Sequence, residues 1–179
     1  MGFFGKVGDF LNKVDETISS DPHIIGKRFE DHVESLFSTK WFTVVEKTHS
    51  AKVNQQRYVE SSLNPDLIFR YNGPGGGTFA VECKYRSPAS FNKKGMLELF
   101  KPGQLERYRK FSVQRNVPVF VIIELDAYAE LDDGTMEDGP FMFNIPLSEI
   151  RYDALYPSVL EKYERPFNKP FFWKGGQLY

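Results

Sequence analysis

The sequence predicts a mixed α/β domain in which a β-hairpin sits inside a sheet flanked by helices. Three observations predict it. Residues 66–71 and 78–85 are two strand-like runs separated by the turn Asn72-Gly73-Pro74-Gly75-Gly76-Gly77, whose Gly and Pro supply backbone geometry that other residues resist. Residues 117–125 form a near-continuous apolar run, the pattern of a central strand covered on both faces. Apolar residues at helical spacing bracket these strands, over 24–38 before the hairpin and 103–114 after it.

In chain order, Phe3, Val7, Phe10, Leu11, Val14 and Ile18 make residues 1–20 an amphipathic helix. Gly and charge interrupt that segment too often for a signal-peptide core. Asp9, Asp15 and Glu16 offset its two lysines, which argues against an anionic lipid surface. Its expected role is to pack on its own domain or on a partner. Ser19-Ser20-Asp21-Pro22 is a break that supplies a cap for the next helix. Ile25, Phe29, Val33, Leu36 and Phe37 then form one apolar face of the 24–38 helix. Residues 41–45 carry a strand signature, and the polar stretch 52–62 is a strand or an irregular excursion. After the 117–125 strand, the acidic stretch 130–138 reads as a loop, 141–145 as a further strand and 155–163 as a short helix. The chain ends in the aromatic run Phe171-Phe172-Trp173. The main domain is placed at 21–150, with 151–179 packing on it.

At 179 residues the chain is long enough for one cored domain and short for two. With 41% hydrophobic and 26% charged residues it has the composition of an ordinary globular protein. A net charge of -1 gives no global attraction to nucleic acid, so any such case rests on local charge. The single cysteine, Cys83, excludes an internal disulfide framework and a Cys-rich zinc or iron–sulfur site, and it suits a reducing, cytoplasmic setting. No apolar run approaches the roughly 20 residues of a membrane helix. The glycine cluster lacks a Gly-Lys-Ser/Thr ending and runs into a strand, so it is not an ATP-binding phosphate loop.

The chemistry centres on Glu82-Cys83-Lys84. Side chains alternate along a strand, so Glu82 and Lys84 share one face while Val81 and Cys83 share the other, a core face. A carboxylate beside an ammonium stays ionised and can hold a hard cation, and the ammonium can orient water. With the turn centred between Asn72 and Gly77, Asp66 falls across from Cys83, and a one-residue shift or bulge is needed to align it with Glu82 and Lys84. Pro65 marks Asp66 as the strand entrance.

Asn64-Pro65-Asp66 followed by Glu82-Cys83-Lys84 resembles the Pro-Asp…Asp/Glu-x-Lys signature of the restriction-endonuclease-like nuclease superfamily. The element order over about residues 24–125 is similar to that of archaeal Holliday-junction resolvases, and Gln104-Leu105-Glu106-Arg107-Tyr108 resembles the Gln-x-x-x-Tyr element of RecB-type nucleases. The resemblance implies a restriction-endonuclease-like mixed sheet flanked by helices, and a metal-dependent DNA nuclease. It also implies a helix glutamate among the metal ligands, which maps to Glu30 in preference to Glu34. Glu30, Asp66, Glu82 and the Cys83 carbonyl are then the ligands of Mg²⁺, with Mn²⁺ able to substitute. Lys84 positions water or neutralises charge on the phosphate, and Gln104 orients Lys84 or contacts the phosphate. Dimers are common among such enzymes, which makes a homodimer an expected assembly.

Local charge agrees with a phosphate-bearing substrate. Between Lys84 and Arg115 nine basic residues stand against Glu98 and Glu106, immediately downstream of the candidate site. Arg86, Lys93, Lys94, Lys101, Arg107 and Tyr108 are the candidate nucleic-acid contacts. The bland reading of each feature is a solvated strand or helix face; it is their agreement in order and spacing that favours an endonuclease or resolvase-like enzyme. The rival is a nuclease fold without catalysis that serves as a DNA-binding or assembly module. His23, His32 and His49 show no ligand spacing and read as structural or surface residues.

Overall fold

A computed structural model describes residues 21–48, 64–130 and 135–179. The predicted N-terminal helix, the stretch 52–62, His49 and the tip of the acidic segment lie outside the described residues.

Helix α1 (Pro22–Ser35) begins two residues before the predicted residue 24, directly after the expected cap: the Asp21 side chain accepts from the His23 N–H at 2.9 Å, and Pro22 needs no hydrogen bond at the first turn. The helix stops before the predicted residue 38. Leu36 and Phe37 leave it to enter the core, and tertiary packing overrides their helical spacing. Strands β1 (Phe42–Lys47), β2 (Leu67–Tyr71) and β3 (Thr78–Arg86) form an antiparallel meander, with a register shift between Val44 and Glu46 on β1. A short strand β4 (Leu97–Glu98) precedes helix α2 (Gln104–Arg115), which leads into β5 (Val119–Leu125).

β5 runs parallel to β3, and every one of its residues is buried, as a strand covered on both faces requires. The acidic segment expected as a loop instead carries two short antiparallel strands, β6 (Tyr128–Glu130) and β7 (Met136–Asp138). Acidic residues at exposed positions hid a backbone ladder that depends on no side-chain pattern. β8 (Phe141–Pro146) pairs with β5, β9 (Ala154–Leu155) pairs with β4, and β10 (Glu164–Arg165) pairs with β8. The predicted 155–163 helix is short: Pro157–Leu160 is α-helical and Glu161–Tyr163 is a 3-10 turn. The central sheet is six-stranded, in the order β1-β2-β3-β5-β8-β10.

Two cores lie on its two faces. Ala80, Val119, Val121 and Ile123 pack under Leu105, Tyr108 and Phe111 of α2. The alternate residues Phe79, Val81, Phe120 and Ile122 pack under Phe29 and Val33 of α1. The tail completes the α1 side. Phe171 stacks on Phe37 with centroids 4.6 Å apart, and Trp173 stacks on Phe79 at 4.7 Å and donates to the Gly76 carbonyl at 3.0 Å. No helix among the described residues is long and apolar enough to cross a membrane.

Candidate active site

β3 outruns β2. Their ladder ends at Leu67↔Val81, where Pro65, lacking an N–H, cannot extend it. Continued by one residue, this register sets Asp66 opposite Glu82, on the same face. Of the shift or bulge expected, this ladder shows the one-residue shift and no bulge: the Tyr71 N–H donates to the Gly77 carbonyl at 2.8 Å, which centres the turn half a residue earlier than its composition suggests. Beyond the end of the ladder, the Cys83 N–H donates to Asp66 Oδ2 at 2.7 Å, so the carboxylate replaces the missing strand carbonyl. Thr48 holds the entrance in place. Its N–H donates to the Asp66 carbonyl at 2.9 Å, and its Oγ1 donates to the Pro65 carbonyl at 2.8 Å.

Glu82 and Lys84 point to the α2 side of the sheet, and the half-buried Cys83 thiol points to the α1 side. Glu82 is only 3% exposed. Its Oε1 lies 2.5 Å from Lys84 Nζ, while Oε2 is buried with no hydrogen-bond partner. An unsatisfied buried carboxylate oxygen is costly unless a cation or donor meets it. Burial holds the Asp66 carboxyl well above the ordinary carboxylate range; the charge of Glu82 adds to the rise, and the Cys83 N–H and Lys84 oppose it.

Glu30, half-buried on α1, is raised by burial and by Glu82 but is drawn down by Lys27, whose Nζ lies 3.6 Å from it. Glu34, the other helix glutamate, pairs with Lys47 at 2.6 Å. Of the two, Glu30 is the one that senses the charge of Glu82.

Gln104 makes its hydrogen bonds to partners other than Lys84. Its Nε2 donates to Tyr108 Oη at 2.8 Å, and its Oε1 accepts from the Lys101 N–H at 3.3 Å. Tyr108 is buried beneath the site, its phenol pushed upward by burial and by the Glu82 charge, so its ring is no surface for stacking bases. Arg86 is also committed inward. Its Nε donates to the Glu98 carbonyl at 2.6 Å, Nη1 to the Tyr85 carbonyl at 2.7 Å and Nη2 to the Leu99 carbonyl. Lys93, Lys94, Lys101 and Arg107 are exposed.

Three features have no signature in the sequence. Phe100 lies against Lys84 from a loop that shows no periodicity. At the same end of the sheet, on the α1 side, the Tyr85 hydroxyl donates to Asp126 at 3.1 Å. Beside it, burial pushes the Glu124 carboxyl up to about 7, with Arg28 opposing and Asp126 adding.

The donor types suit a hard divalent cation: the charges of Glu82 and Glu30 both act on Asp66, Glu82 pairs with one ammonium, and Glu82 Oε2 is orphaned. Among the described residues, however, no three Asp, Glu, His or Cys side chains lie close enough to hold a metal ion as they stand.

The fold and this cluster define a mixed α/β protein whose carboxylates and lysine gather at one end of a six-stranded sheet. No protein family and no curated protein matches the chain. Among solved structures it is similar to Hjc, a Holliday junction resolvase from Archaeoglobus fulgidus, with a TM-score of 0.44 and 16% identity over 77% of this chain and 93% of that one.

Proposed function

We propose that the protein is a divalent-metal-dependent nuclease that hydrolyses phosphodiester bonds in DNA. One observation supports the reading: Asp66, held by the Cys83 N–H, and the Glu82–Lys84 pair share one end of the sheet, where carboxylate exceeds cation and Glu82 Oε2 is unsatisfied. A purely structural Glu–Lys pair has no need of a second, partly buried carboxylate beside it, whose charge works against folding. Glu30, Asp66, Glu82 and the Cys83 carbonyl would hold Mg²⁺, which when bound would polarise the scissile phosphate and acidify a water.

The chain's own residues account for the rest. Lys84 is a donor-only ammonium placed to neutralise charge developing on a phosphate oxygen or to orient the attacking water. Glu82 pairs with that ammonium at 2.5 Å. Gln104 acts through Tyr108, fixing the phenol under the Glu82–Lys84 pair. Lys93, Lys94, Lys101 and Arg107 present exposed positive charge to the phosphate backbone, while Arg86 braces the loop that carries Lys93 and Lys94.

The unconverged carboxylates favour one other reading, a nuclease fold that binds DNA without cutting it. Comparing the wild type with Lys84→Ala on supercoiled, linear and branched DNA, in Mg²⁺ or EDTA, separates the two. Cleavage that needs Mg²⁺ and is lost in the variant is the expected result. DNA binding with no cleavage by either protein would establish the silent module.

A further inference from the structure

Lys84 lies between a carboxylate and two aromatic rings. Its Nζ sits over the Phe100 ring at 5.7 Å from the centroid and over the Tyr108 ring at 5.9 Å, with Glu82 Oε1 at 2.5 Å. The rings meet edge to face, 6.0 Å apart. Phe100 is buried, and its place is set by a distant segment: the Leu99 and Phe100 N–H groups both donate to the Asp153 carbonyl, at 2.9 and 3.1 Å. Leu97 pairs with Leu155 just before it.

An ammonium this buried has little water to stabilise it, and Glu82 alone would draw it to one side. An aromatic face offers diffuse negative potential without accepting a proton or forming a competing ion pair. A leucine would fill much the same volume but carries no such potential.

We propose that Phe100 is a positioning residue for Lys84, its ring face seating the ammonium together with the Glu82 carboxylate so that the pair keeps one orientation in the site. This rests on the nuclease reading for its consequence, but the contact itself does not depend on that reading. Two measurements test it.

In cleavage assays with Mg²⁺, Phe100→Leu lowers kcat about tenfold with KM for DNA unchanged, the scale of a desolvated cation–π contact, while Phe100→Tyr stays within about twofold of wild type. Equal activity of the leucine and wild-type proteins overturns the proposal, as does equal loss in the leucine and tyrosine variants. Urea unfolding without metal supplies a readout independent of cleavage, using wild type, Lys84→Met, Phe100→Leu and the double variant. The expected result is that the midpoint shifts do not add, because the two side chains interact; simple additivity overturns the proposal. Non-additive unfolding in a protein that cleaves nothing leaves the Phe100–Lys84 seat standing and removes the nuclease reading instead.

Discussion

At the scale of single residues, charge and burial oppose one another in ways that solution measurements resolve. Asp66 holds its proton more tightly when folded than when unfolded, so the native state loses stability as pH climbs from the ordinary carboxylate range through the raised value. Asp66→Asn keeps an oxygen for the Cys83 N–H and removes the partly buried charge. The metal-free variant is expected to melt above wild type at pH 8, and Mg²⁺ is expected to raise the melting temperature of wild type only. A lower melting temperature in the variant would show that the charge stabilises the apo fold.

Glu124 offers a second case, away from the proposed ligands. Its carboxyl is raised to about 7 from 4.5, so between those values the folded protein binds more protons than the unfolded chain. Stability attributable to this group therefore falls as pH rises through that window and is flat above it. Glu124→Gln should flatten that part of the pH–stability curve and stabilise the protein at pH 8 by about 1–3 kcal/mol, read by denaturant unfolding. An unchanged slope would mean that Arg28 compensates the charge fully.

Among the elements, the hairpin turn and the tail are coupled. Gly77 has φ +134, and a Cβ there would lie 2.9 Å from Trp173 Nε1, so both backbone and neighbour resist a side chain. Gly77→Ala is expected to cost about 1–3 kcal/mol in unfolding free energy and to loosen the tail, visible as a change in Trp173 fluorescence. A variant with wild-type stability would mean that the tail yields without cost.

This region also shows what a sequence can and cannot convey at the scale of elements. The Gly-Pro cluster made the hairpin and its two strands legible, because those residue types act locally. It did not disclose the register, since centring the turn half a residue earlier needs only one hydrogen bond, and that single step decides whether Asp66 faces Glu82 or Cys83. The strands β4, β9 and β10 were illegible for a related reason. Each is two residues long and held by backbone bonds to a distant partner, so no periodicity marks it.

For the whole molecule, the net charge of -1 conceals a division of sign along the chain. If Lys93 and Lys94 meet DNA phosphates, neutralising both to Ala should reduce the slope of log K against log salt by about 1.8, at roughly 0.9 per phosphate contact. An unchanged slope would place the DNA elsewhere. The aromatic tail contributes less free surface than its composition suggests, because Phe171 is buried and Trp173 stacks on Phe79. Phe172 and Tyr179, stacked on each other at 4.9 Å, remain exposed.

What the sequence determined by itself was the set of local commitments. These are the capped helix after Asp21, the hairpin around 72–77, the near-continuously apolar central strand, and the alternation that sends Glu82 and Lys84 one way and Val81 and Cys83 the other. Each follows from residue type and spacing over a few positions. Only the tertiary structure decided the contents of the site. It turned Arg86 and Tyr108 inward, linked Gln104 to Tyr108 and not to Lys84, and brought Phe100 over the ammonium from a loop pinned by Asp153. The physical reason is that, apart from the Gln104–Tyr108 pair one helical turn apart, these contacts join different segments of the chain, where packing and burial, which leave no periodic trace, choose the partners.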